Sequence, residues 1–288
     1  MRGWIGIGVV AGALVVWTNP ASAAALLIRN AVVKVTVIPE DRTDIDVKIL
    51  KANPKLPLTI EQGLNGDIIV DGSQRYGMWG FVLGGRTTNC RRENDEPVVH
   101  VWGLGDVRGQ DMPEIVVQVP MDAKVSTGGA TFGSVGRSDS LDLHIAGCDD
   151  WTIANVAGRL AIDDAGVARV RTGTAGSLKL GIAGYSDVKT AEVTGGMELH
   201  IAGSGDVENA AVSGPIDMHI AGHGEIKIQG GHATTMDVHI AGAGTIDDKG
   251  TADSLNAEIA GAGAINVAHV TGSITKTIAG VGTINVGR

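Results

Sequence analysis

The chain has 288 residues, of which 43 are glycine and 8 proline, and its formal charge is −9 at neutral pH. That charge gives no electrostatic support to a nucleic-acid or anionic-membrane partner. Abundant glycine beside regularly recurring Val and Ile, with aromatic residues at only 3%, excludes a disordered glycine-rich tail and points to a turn-dense β protein.

The chain opens with Met1-Arg2-Gly3, a short basic start, then the apolar run Trp4–Trp17, the breaker Pro20 and the small-residue site Ala21-Ser22-Ala23. This pattern reads as a secretory signal over residues 1–23, cut after Ala23. The apolar run is shorter than the ~20 residues that a membrane-spanning helix needs. Ala24 rather than cysteine follows the cut, so a lipid-anchored start is not expected. No later stretch could span a bilayer as a helix. The expectation is an exported chain, periplasmic or at the cell surface, with no transmembrane segment after cleavage.

Residues 24–122 read as an N-terminal β cap plus irregular first coils. Strands are legible at Ala31–Pro39, Asp44–Leu50 and Asp67–Gly72. Between them and the later repeats lies a long excursion, 73–97, without a clean period. It concentrates Tyr76, Trp79, Phe81, Arg86, Arg91 and Arg92 in a chain otherwise poor in aromatics. Loops on rigid scaffolds tend to carry recognition, so these six residues are the expected partner-binding set; the alternative is that the aromatics plug the end of the scaffold. "VHVWGLGDV" at Val99–Val107 echoes the later repeat and reads as an early coil. Cys90 and Cys148 are the two cysteines. In an exported chain a disulfide is the expected use, with two separate buried thiols as the alternative.

From residue 123 onward the chain repeats itself. Ile-Ala-Gly begins at Ile145, Ile182, Ile201, Ile220, Ile240, Ile259 and Ile278, at steps of 37, 19, 19, 20, 19 and 19 residues. The long step holds a worn copy, "LAIDDAG" at Leu160–Gly166, with Asp164 in the isoleucine slot. Before each triplet apolar and polar residues alternate ("MELHI", "IDMHI", "MDVHI"), the period of a strand with one buried face. One such unit cannot offset ~1–2 kcal/mol of backbone entropy per residue with a few aliphatic side chains worth ~1.5–3 kcal/mol each. Stacking resolves the deficit: each strand pairs with the same strand one coil later, and the aliphatics form continuous internal ladders. The fold class is therefore all-β, a parallel β-helix of ~19-residue coils, expected right-handed, over residues 123–288.

A leader followed by "VTVIPEDRTDIDVKI", then "GDIIVDG", then serial copies of "IAGSGDV" resembles the bacterial auto-transporter adhesin head (GIN) domain family. The resemblance extends over nearly all of the mature chain, and Gly203–Val207 is its most specific part. It implies a β-helical envelope or surface protein, and it supplies no catalytic residues. The chain departs from the family's name in ending "TINVGR", with no membrane barrel following.

The most organised polar feature is a ladder just before each triplet: His144, Asp163, Gly181, His200, His219, His239, Glu258 and Thr277. Two residues earlier runs a carboxylate-rich column with Asp142, Glu198, Asp217 and Asp237. Both should face outward. His200, His219 and His239 could share a Zn²⁺ or Cu²⁺ ion; the bland reading is that the repeats copied a half-exposed polar residue. Asp187 and Asp206 solvate corners, since the calcium β-roll needs a different period. Asp149-Asp150 and Asp163-Asp164 are adjacent in sequence and point to opposite faces, which argues against a paired-acid hydrolase. The reading is an exported, non-enzymatic envelope or surface interaction module, adhesin-like, with no cofactor. Its partner would be a surface protein or glycan. The alternative is a metal-binding envelope protein using the His/Asp ladder, and a carbohydrate-active enzyme comes third. Lys276 takes an aliphatic slot in the last coil, and inward charge on a terminal strand opposes edge-to-edge stacking, so a monomer is expected.

Overall fold

The computed structural model describes residues 24–72, 87–93 and 96–287. The leader 1–23 lies outside them. The architecture is all-β, a parallel β-solenoid of about nine turns with ~19-residue coils. Among the described residues there is no α-helix, and no helix long and apolar enough to cross a membrane.

The first strands are β1 (Leu26–Glu40), β2 (Asp46–Lys51), β3 (Thr59–Gln62) and β4 (Ile68–Asp71). A separate antiparallel sheet follows, made of β5 (Thr87–Glu93), β6 (Glu96–Val101) and β7 (Gly105–Arg108). The chain then returns through β8 (Glu114–Pro120) and β9 (Asp122–Val135) to β10 (Ser140–Ile153), and the regular coils run on to Val286.

Register in the coils obeys the spacing of the triplet. Ile182 pairs with Ile201, Ile201 with Ile220 and Ile220 with Ile240, all in parallel strands. The aliphatic column two residues earlier is equally continuous, running Leu180, Leu199, Met218 and Val238, and all four are buried. The alternation in each "LHI"-type segment thus becomes a dry internal ladder, with the polar members outside. The triplet's glycine is required by close approach: a Cβ on Gly203 would lie 2.2 Å from the carbonyl oxygen of Gly184, one coil below. Only a residue without a side chain lets the two backbones stack at that corner.

The N-terminal end is threaded out of sequence order. β1 does not lie at the end of the stack. One of its edges pairs in parallel with β4 (Leu26 beside Ile68) and β8 (Lys34 beside Glu114), and the other pairs with β9 (Leu26 beside Val125). The outermost parallel rung is therefore β4 with β8. It is closed by β3 and β2, which pair with it antiparallel, so an edge that could template another parallel strand is covered.

At the other end the strands Ile274–Gly280 and Thr283–Val286 form the final coil, with Ile278 46% exposed. Lys276 sits beside Ala257 of the preceding coil, is exposed, and donates to the carbonyl of Ile284 at 3.1 Å.

Candidate functional site

The side sheet is where the sequence expectation needs correction. Val99–Val107 is not a coil. It is the β6–β7 hairpin, antiparallel, with His100 opposite Asp106 and Val101 opposite Gly105. Gly103 and Gly105 have φ of +83° and +81°, a left-handed backbone that turns the chain back on itself where a coil would run straight. The rung next to β9 is already occupied by β1. Trp102, at the hairpin tip, is 72% exposed.

The sheet is held to the solenoid by three kinds of contact. Val99, Val101, Val107 and Met112 pack on outward-facing Val32 and Ala130 in a second apolar cluster. Cys90 and Cys148 form a disulfide 58 residues apart in sequence, so the paired reading of the two cysteines holds. Arg92 forms an ion pair with Asp150. Arg91 reaches Asp106 at 2.5 Å and Glu93 at 2.9 Å, and Asp106 also meets His100 Nδ1 at 2.8 Å. Hydrogen bonds from Arg91 and His100 hold the Asp106 carboxyl below its usual range. Of the six expected partner-binding residues, Arg91 and Arg92 are thus side-sheet residues engaged within the molecule. Tyr76, Trp79, Phe81 and Arg86 lie outside the described residues.

Beside the sheet runs an open groove of ≈ 340 Å³. Its floor is a row of outward side chains from four neighbouring strands: Glu114 (β8), Lys34 (β1), Phe132 (β9) and Asp150 (β10). Two residues along, Thr36 and Ser134 form a second row. Arg92, Pro97 and Leu50 make the walls. Lys34 Nζ lies 3.2 Å from Glu114. Of this set the sequence marks Arg92 as a binding candidate and Asp150 only as half of an acidic pair. Nothing in the local pattern says that Lys34 will stand between Glu114 and Phe132.

The histidine ladder has the expected register: His144 beside Asp163, His200 beside His219, His219 beside His239, and His239 beside Glu258. The rings of His200, His219 and His239 stack face to face, with centroids 5.1 and 4.8 Å apart and planes within 6° and 4°. Each Nε2 meets the carboxylate two residues earlier on its own strand: Glu198 at 2.9 Å, Asp217 at 2.9 Å and Asp237 at 3.0 Å. Parallel stacked rings direct their nitrogens along parallel lines, whereas a tetrahedral metal needs them to converge. Among the described residues no group of three or more His, Cys, Asp or Glu is placed to hold a metal ion.

One polar cluster was missed as a cluster. Asp149 faces inward and is 5% exposed. Its Oδ1 accepts from Thr127 at 3.1 Å, while Oδ2 has no partner, and nearby Thr131 Oγ1 and Trp151 Nε1 are buried without partners too. Burial pushes the Asp149 carboxyl up to about 7, although the hydrogen bond from the Thr127 hydroxyl opposes the shift. Asp164, in the isoleucine slot, bonds Ser186 and the Gly166 amide, and its carboxyl is likewise raised by burial. The available signal was a paired substitution: polar residues replace both the isoleucine and its glycine neighbour in these coils only.

The fold and the stapled sheet define a β-solenoid scaffold carrying a lateral platform. The profile of the family described as "Putative auto-transporter adhesin, head GIN domain" matches residues 193–287, the last regular coils. No curated protein matches the chain. Two crystal structures are similar over most of their length. One is a "putative lipid binding protein" from Parabacteroides distasonis, at 15% identity and TM-score 0.39, with 94% of this chain and 95% of that one covered. The other is a "putative cell adhesion protein" from Clostridium sporogenes, at 10% identity and TM-score 0.23, with 93% of each chain covered.

Proposed function

We propose that the protein is an exported, non-enzymatic, adhesin-like module of the cell envelope or surface, in which the side sheet and the adjoining residues 73–97 form the recognition element. The observation that carries this reading is the side sheet itself: an element outside the coil rhythm, covalently stapled to a rigid solenoid through Cys90–Cys148. A disulfide suits an oxidising compartment, and the leader-like residues 1–23 suit export. The adhesin-head match over 193–287 supports the class. The test is replacement of residues 73–86 by a short Gly-Ser linker, which keeps β5 and the Cys90–Cys148 disulfide. Binding to intact cells should be lost while the melting temperature of the solenoid stays nearly unchanged. A large loss of stability would instead make the segment a plug for the scaffold.

A further inference from the structure

We infer that the groove between the side sheet and β1, β8, β9 and β10 binds a short, uncharged oligosaccharide; the inference rests on the recognition reading above and names its ligand class. The floor carries Lys34 and Glu114 as one pair, and Asp150 paired to wall residue Arg92 as the other. These four charges sum to zero. A charged ligand would have to compete with one of these pairs for its partner. A wholly apolar ligand would strip water from all four groups without replacing its hydrogen bonds, which is costly. A polyol avoids both penalties, because each hydroxyl donates and accepts at once and can bridge the members of an existing pair.

Geometry narrows the class further. Phe132 packs in part against the apolar cluster under the sheet and lines the groove between Lys34 and Asp150 on adjacent strands, so its open part is flanked by charged hydrogen-bonding groups on both sides. A pyranose ring offers a C–H face for the aromatic and equatorial hydroxyls for the flanks. Four neighbouring strands at ~4.8 Å spacing make the row from Glu114 to Asp150 about 14 Å long. Pyranose units repeat at nearly the strand spacing, so two or three rings match the row. Thr36 and Ser134 add hydroxyls along one side. The volume, ≈ 340 Å³, is at the small end of ligand sites and suits a chain end or a short stretch.

Titration calorimetry of the full chain with cellotriose, maltotriose and chitotriose, with trigalacturonate as the acidic control, tests this. At least one neutral trisaccharide should bind, and Asp150→Asn and Lys34→Gln should each weaken it about tenfold with unchanged melting temperature. Ser134→Tyr, which fills the groove, should abolish it and serves if either charge variant misfolds. No binding by any neutral trisaccharide, equal binding by all three variants, or preference for trigalacturonate would overturn the assignment. Cell binding that is lost with residues 73–86 while no saccharide binds would overturn the ligand class alone. Cell binding that survives their replacement would overturn the recognition reading.

Discussion

Ile201 Cδ1 lies 3.0 Å from the point where a side chain on Gly224 would begin. The same relation recurs between Ile182 and Gly205 at 2.9 Å, and between Ile220 and Gly244 at 2.9 Å. The inward isoleucine of one coil therefore fills the space that the second glycine of the next turn leaves open. Where the isoleucine is absent, so is the glycine: Thr127 bonds Asp149, and Asp164 bonds Ser186. Ile145 stands between these polar pairs and meets Ala168 in the glycine column, so the corner holds Ile with Gly or Ala, or a hydrogen-bonded polar pair.

Gly224→Ala should crowd this corner and destabilise the protein by about 1 kcal/mol, the low end of overpacking, because Ile201 Cδ1 is a side-chain end that can move and Ala168 already occupies the same column. Ile201→Val removes the Cδ1 in conflict, so the double variant should recover much of the loss. A double-mutant cycle by urea denaturation measures the coupling. Additive effects would mean that the corner relaxes some other way.

Stability should depend on pH through Asp149. Its folded-state carboxyl is raised by burial from 3.8 to about 7. The folded state therefore prefers the protonated form: the stabilisation is complete below 3.8, declines as pH rises through the window, and is gone above about 7. The size is on the order of 4 kcal/mol. Asp149→Asn should flatten this part of the profile, leaving a smaller slope of the same sign from Asp164 and Asp248, whose carboxyls burial also raises. Urea midpoints of the two proteins from about pH 3 to about pH 8, an interval that brackets both the ordinary and the raised carboxyl values, give the comparison.

Replacing Cys90 and Cys148 together by serine should cost up to about 4 kcal/mol in the chain-entropy model. The apolar contacts of Val99, Val101 and Met112 remain, so the sheet should stay docked but open more often. Limited proteolysis should then cut within 87–108 before any coil. Cleavage first in the coils would mean that the staple supports the solenoid itself.

Zn²⁺ at micromolar concentration should leave the melting temperature unchanged, and His219→Ala should not alter that outcome, because the stacked rings already meet carboxylates at Nε2. A metal-dependent rise abolished by His219→Ala would show that the rings turn to share an ion.

Lys276→Leu should promote concentration-dependent association read by light scattering. The lysine crosses the last coil to the Ile284 carbonyl, and its removal leaves apolar surface on an unpaired edge. A mutant that stays monomeric would mean that the edge is protected by something else.

The coils were legible from residues alone because their information is local. Alternation with period two decides which side chains point inward, and the near-constant spacing of Ile-Ala-Gly brings equivalent residues into register, including the His200–His219–His239 ladder. The N-terminal third carries no such repeat. "VHVWGLGDV" fits a coil and a hairpin equally well by alternation, and only the left-handed Gly103 and Gly105, with the neighbouring rung already taken by β1, decide for the hairpin. Likewise Lys34, Glu114, Phe132 and Asp150 each read as an ordinary residue in its own segment. They become one row because β1 inserts between β8 and β9, a pairing between segments far apart in the chain. That insertion is a property of the packed rungs, where every edge but the last must find a partner, and no periodicity in the sequence encodes it.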